Sequence, residues 1–191
     1  MNRETWLLEA TDLLSSSFFD RPTLKLPSKL AVSCGIPKGK SAAIGQCWDP
    51  KVASDGTTHI FICPSLDEPF TVLSTLLHEL CHAVVGVHNG HNAEFGRIAR
   101  AVGLKGKLTS THVDRESESG ETLIDIAEKL GTYPHKAINK NTNKKKKQPT
   151  DKKVKLVSIK DDEYNLTISE AVLSKGYPTD PWGETMELLT K

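Results

Sequence analysis

This chain contains no run of eighteen or so apolar residues, so no segment reads as a membrane-spanning helix. Its opening, MNRETWLLEATDLL, threads charges through a helical pattern and builds no signal-peptide core, which leads us to expect a cytoplasmic protein with no membrane partner. Cysteine is scarce. Cys34, Cys47, Cys63 and Cys81 form no CxxC pair, which argues against a disulfide framework or a cysteine-only zinc site and leaves buried, reduced thiols. Charge of one sign is missing too: the formal net charge is +1, so the sum names no partner. That sum hides a segregation, with lysines crowded between Lys136 and Lys160 and a mostly acidic tail from Asp161 onward. A hydrophobic share of 37% and a mean hydropathy of -0.36 describe a soluble folded chain with a polar portion, and 191 residues suffice for one ordinary domain with an appendage.

The order of parts follows from periodicity. Trp6, Leu7, Ala10, Leu13, Leu14 and Phe18 recur at helical spacing and predict an amphipathic helix over 3–19, broken by Pro22 and Pro27. LAVSCG, AAIGQCW and THIFICP read as three short strands between turn-rich stretches, a small and mostly antiparallel sheet. Pro69, with Asp67 as N-cap, opens an apolar helix over 70–85 that Gly86 ends. Further helices are expected over 92–102 and within GETLIDIAEKLG, between Gly120 and Gly131. Residues 132–153 turn to lysine, asparagine, threonine and proline and read as a solvated linker, with Lys144, Lys145, Lys146 and Lys147 as a candidate nucleic-acid contact. VKLVSI and YNLTIS then suggest a terminal hairpin. The division is 1–131, 132–153 and 154–191.

Four of the seven histidines fall within LLHELCHAVVGVHNGHNAEF, on and just after the most apolar stretch of the chain. Two imidazoles one turn apart in a core helix are costly unless their nitrogens are satisfied, and one metal ion satisfies both. His78, Glu79 and His82 form HExxH, which puts both rings on one helix face with the glutamate beside them as general base. Imidazole suits Zn2+, and a catalytic zinc takes three protein ligands and keeps a fourth position for water.

The third ligand is a competition. His88 stands at the metzincin spacing HExxHxxGxxH, but Val85 occupies the glycine position and Gly86 comes one residue late. His91 opens HNAEF at the mouth of the next helix, where a chain reversing at Gly86 and Gly90 returns it to the metal, and it is the favoured candidate. Glu94, a turn further on, is the carboxylate alternative. Three ligands and an open position favour an enzyme over a noncatalytic zinc-containing nucleic-acid or transcription-associated accessory protein.

HExxH followed by GHxxEF resembles the SprT-like zinc metalloproteases, the group that includes Spartan, whose third ligand heads a His-Gly-x-x-Phe motif; Asn92 stands where that glycine would be. The likeness covers roughly residues 3–104, including IGQCWDP and HIFICPSL, and is closest to the SprT-like proteins of bacteriophages. It implies an α+β fold, a minimal zincin-like domain, with one zinc ion on His78, His82 and His91 and Glu79 as catalytic base. It implies a metalloendopeptidase acting on protein substrates, including proteins crosslinked to DNA, which the lysine run could help engage, in a host cytoplasm for a phage protein. Such chains commonly end in a zinc ribbon. Here the ribbon positions read SIKD, with Ser158 and Asp161, and TDPWGETM, with Asp180 and Trp182, so no second zinc is expected, and the tail must either be held by packing Val157, Tyr164, Leu166, Ile168 and Trp182 or stay loose.

Overall fold

Asn2 starts the first helix by accepting a hydrogen bond from the Thr5 N–H at 2.8 Å, satisfying one of the donors that every helix start leaves open. This helix, α1 (Arg3–Phe18), buries Trp6, Leu7, Ala10 and Leu14. The computed structural model describes residues 1–38, 43–139 and 152–189, divided between two compact units, Met1–Lys140 and Asn141–Lys191. Both are mixed α+β.

In the first unit, β1 (Leu30–Cys34), β2 (Gly45–Trp48) and β3 (Thr58–Ile62) form a sheet in the order β1-β3-β2. The mostly antiparallel sheet expected from sequence is half right. β2 is antiparallel to β3, but β1 runs parallel to it, because the chain inserts β2 at the opposite edge before returning to the centre. α1 lies against β1.

Next comes α2 (Pro69–Val85), with Pro69 in its first turn. Its cap is Glu68 rather than Asp67: the Glu68 carboxylate accepts from the Phe70 and Thr71 N–H groups at 3.2 and 2.7 Å, while Asp67 accepts from the Ala137 N–H at 3.1 Å. A helix apolar on most sides belongs inside. α2 packs against β2, β3, α3 (Ala93–Ala101), β5 (His112–Val113) and α4 (Glu118–Leu130), while β4 (Leu104–Lys105) packs on α3 and pairs with β5. Leu73, Leu76, Leu77 and Leu80 are fully buried, each contributing about 2 kcal/mol of transfer free energy.

α4 begins before Gly120, not after it, since Ser117 caps it by accepting from the Gly120 N–H. Gly120 is inside the helix for lack of space: an added Cβ would lie 2.2 Å from the Asp114 carbonyl oxygen. The expected solvated linker also starts too early. Tyr133 is buried edge-on to Trp6, and buried Arg3 donates to the carbonyls of Pro134 and Lys136 at 3.0 and 2.9 Å, so the unit's packing continues past Thr132. All four cysteines are free thiols, three of them buried.

The second unit has β6 (Lys153–Val157), β7 (Asn165–Ser169), the single turn α5 (Glu170–Leu173) and β8 (Glu187–Leu188), in the sheet order β7-β6-β8. β6 and β7 form the expected antiparallel hairpin; β8 adds a strand the sequence did not suggest. Its packing differs from expectation. Among the described residues of this unit Leu156 and Met186 are the fully buried apolar side chains, whereas Val157, Tyr164, Leu166 and Ile168 are half-buried and Trp182 is 53% exposed. Ser158 and Asp180 are buried, the Ser158 hydroxyl donating to Asp180 Oδ2 at 2.5 Å. Neither unit's described residues include a helix long and apolar enough to cross a membrane.

Candidate metal centre

α2 carries His78, Glu79 and His82 on adjacent positions of its second half, one turn separating the two imidazoles. Gly86 then stops the helix with φ at 86°, its N–H donating to the His82 carbonyl at 2.9 Å. A side chain there would collide with His88, an added Cβ lying 2.6 Å from its Cε1. After a single 3-10 turn, Val87–Asn89, Gly90 at φ 51° redirects the chain so that His91 comes back over α2. Asn92 locks this reversal. It caps α3 by accepting from the Glu94 and Phe95 N–H groups at 2.9 and 3.1 Å, and its own amide donates to Asn89 Oδ1 at 3.0 Å.

The result is a convergence of ring nitrogens. His82 Nε2 lies 3.2 Å from His91 Nε2, which lies 3.3 Å from His78 Nε2. Three nitrogens pointing inward cannot all be satisfied by sharing protons, because each N–H serves one partner and leaves another lone pair facing a lone pair. A cation satisfies all three. Nitrogens bound tetrahedrally at about 2.0–2.1 Å lie about 3.3–3.4 Å from one another, close to the observed separations. The cluster of His78 and His82 inside the helix packing and the exposed His91 could therefore hold a metal ion. Phe95, fully buried at the start of α3, is its platform: the His82 ring stacks on it at 4.2 Å, and the His78 and His91 rings meet it at 5.0 and 5.1 Å.

Electrostatics prepare the same state. Burial pulls the His78 imidazole down to about 4, helped by His91, and the His82 imidazole down to about 3, helped by both neighbours. Burial lowers His91 as well. The rings are thus neutral at pH 7, the form that ligates without first losing a proton. Burial pushes Glu79 up to about 8 against a hydrogen bond from the Cys47 backbone N–H. Cys47 is driven up to about 12 by burial and by Glu79 and Asp49, and Cys81 is raised by burial and Glu79, so both stay thiols and neither competes as an anionic sulfur ligand.

A cavity of about 470 Å3 opens onto the cluster, lined by Ile44, Gly45 and Cys47 of the β2 region, by Thr75, by Val87 and by Thr111. Gly45 allows the strand its close approach: an added Cβ would lie 2.6 Å from Glu79 Oε1 and 2.9 Å from Thr75 Cγ2. His88 and Glu94 stand apart from the cluster. His88 is exposed and meets Asn89 Nδ2, and Glu94 is exposed and paired with Arg97 at 2.7 Å. Lys144 to Lys147 lie outside the described residues. Sequence reasoning did not single out Gly45, the Phe95 platform or Thr111, whose Oγ1 lies 2.7 Å from His78 Nδ1. Phe95 sat at helical spacing from His91 and could have been found. No known family model, curated protein or solved structure matches the chain.

Proposed function

We propose that this chain is a zinc-dependent metallopeptidase of the SprT-like kind, cutting peptide bonds in protein substrates. The observation that carries this reading is the meeting of three neutral imidazole nitrogens at tetrahedral-edge spacing beside a buried carboxyl, Glu79, at the mouth of a cavity. His78, His82 and His91 would hold the ion. When bound, zinc supplies Lewis acidity, bringing a coordinated water to a pKa of about 7 and polarising a carbonyl.

Glu79 supplies the proton traffic. With a cation held beside it the Glu79 carboxylate would be favoured over its protonated form, able to take a proton from the attacking water as the new C–O bond forms and to return it to the leaving amine as the C–N bond then breaks. Among the described residues β2 pairs with β3 alone, which would leave an extended peptide a strand edge along the cavity. An accessory protein holding zinc for structure would close the fourth position with a protein ligand. Among the described residues no fourth His, Cys, Asp or Glu joins the group, which favours the enzyme.

The substrate reading is narrower in support. Lys144 to Lys147 would neutralise phosphates and keep the enzyme on DNA-bound proteins; with those four changed to alanine, DNA affinity should fall and lose part of its salt dependence. Catalysis has its own test. Glu79→Gln should keep stoichiometric zinc by metal analysis while cleavage of an unfolded or DNA-bound protein falls by about 10²–10⁴. His91→Ala should lose both. Undiminished cleavage by Glu79→Gln, or zinc-free wild type, overturns the reading.

A further inference from the structure

We propose that Thr111 is the positioning residue that fixes the tautomer and ring orientation of His78 for metal binding. This rests on the metal-centre reading. To offer its Nε2 lone pair to an ion shared with His82 and His91, His78 must carry its proton on Nδ1, and a neutral imidazole can place the proton on either nitrogen. Nδ1 lies 2.7 Å from Thr111 Oγ1, so an Nδ1–H finds its acceptor there. Among the described residues His78 is the one imidazole of the three whose outward nitrogen is hydrogen-bonded. His82 Nδ1 is buried with no partner, and its ring is oriented instead by stacking on Phe95.

A loop hydroxyl can orient a ligand only if the loop is fixed, and this one is tied to the helix that carries His78. Two residues after Thr111 the Val113 N–H donates to buried Ser74 Oγ of α2 at 3.0 Å, and β5 pairs with β4 through Leu104↔Val113 and Lys105↔His112. Immediately before it, the 3-10 turn Leu108–Ser110 is held by Leu108, which fills the space left by the missing side chain of Gly96: a Cβ there would lie 3.2 Å from Leu108 Cδ1. The two partners are 33 residues apart in sequence yet belong to one packed body. Groups that hydrogen-bond the far nitrogen of a metal-binding histidine commonly change metal affinity 10- to 100-fold when removed.

The test uses the full chain as wild type, Thr111→Val, Thr111→Ser and His91→Ala. Zn2+ affinity is measured by competition with a chromophoric chelator, and the His78 tautomer is read from imidazole 15N shifts of the metal-free protein. Thr111→Val, which keeps the shape and loses the hydroxyl, should bind zinc about 10- to 100-fold more weakly, while Thr111→Ser stays within about 3-fold of wild type. His78 should be an Nδ1–H tautomer in wild type and in Thr111→Ser and a mixture in Thr111→Val. An unchanged tautomer in Thr111→Val, or equal zinc affinities for wild type and Thr111→Val, overturns the proposal. Should His91→Ala bind zinc as tightly as wild type, the metal-centre reading fails, and the tautomer comparison still decides the role of Thr111.

Discussion

Both units bury a small polar cluster, and they complete it in opposite ways. In the second unit the Ser158 hydroxyl donates to Asp180 Oδ2, Ser158 Oγ accepts from the Lys160 and Asp161 N–H groups at 3.0 and 3.3 Å, and Asp180 Oδ1 accepts from the Trp182 and Glu184 N–H groups at 3.0 and 2.8 Å. Every strong donor there has an acceptor, so the two turns are tied without an ion. In the first unit three imidazole nitrogens face one another at 3.2 and 3.3 Å with no strong acceptor among them, and His82 Nδ1 has no partner. A closed network stiffens a fold, whereas an unfinished one is where binding energy can be gained. Chemistry is therefore expected where hydrogen bonding is incomplete, and structure alone where it is complete.

Zinc is the sharpest way to break that comparison. An ion that binds only the folded first unit should stabilise it by about 4 kcal/mol at a thousand times its dissociation constant, and by nothing in the second unit. Amide hydrogen exchange with and without a chelator reads both at once: protection should fall on α2 and α3 and stay constant on β6 and β7. Equal loss in both units would mean the second also depends on metal. The converse perturbation is Ser158→Ala, which leaves Asp180 Oδ2 and two backbone N–H groups without their partner. It should cost the second unit about 1–3 kcal/mol and leave zinc affinity untouched. Denaturant unfolding followed on β6 amides measures the first quantity, chelator competition the second.

The contrast also explains what the sequence could say. HExxH was legible because both histidines and the glutamate lie on one helix, where spacing alone sets the face, and His91 because two glycines and an Asn cap mark the reversal that returns it. Thr111 was not, since a hydroxyl in a turn has no periodicity and its partner is 33 residues away. The parallel β1–β3 pairing was hidden for the same reason: short strands show alternation, but nothing local tells which neighbour each will pair with. In the tail, apolar pattern pointed to Trp182 as core, yet the site is held by Ser158 and Asp180, residues that composition assigns to the surface.

Acid should separate the two units by less than zinc does, but in a definite order. In the chelated protein the His78 and His82 imidazoles titrate near 4 and 3 when folded and near their ordinary 6.5 when unfolded. Below pH 6.5 the unfolded chain therefore takes up two protons that the fold refuses, and stability falls as pH falls. Glu79 opposes this with one proton, since its folded value near 8 lies above the ordinary 4.5, which makes stability rise as pH drops from 8 toward 4.5. Two protons outweigh one, so the metal-free first unit should be most stable near pH 6.5 and weaken steadily below it. For Asp180, burial raises the carboxyl, but the hydrogen bonds from Ser158 and from the Glu184 and Trp182 backbone outweigh it and hold the group below its ordinary 3.8. Its contribution is complete above 3.8 and disappears only as pH falls through the lowered folded value. Amide exchange or NMR line shapes recorded from pH 7 down to 3 after chelation should show α2 loosening first, while β6 and β7 stay protected until below about pH 4; simultaneous loss, or the reverse order, would contradict the division between an unfinished and a finished polar cluster.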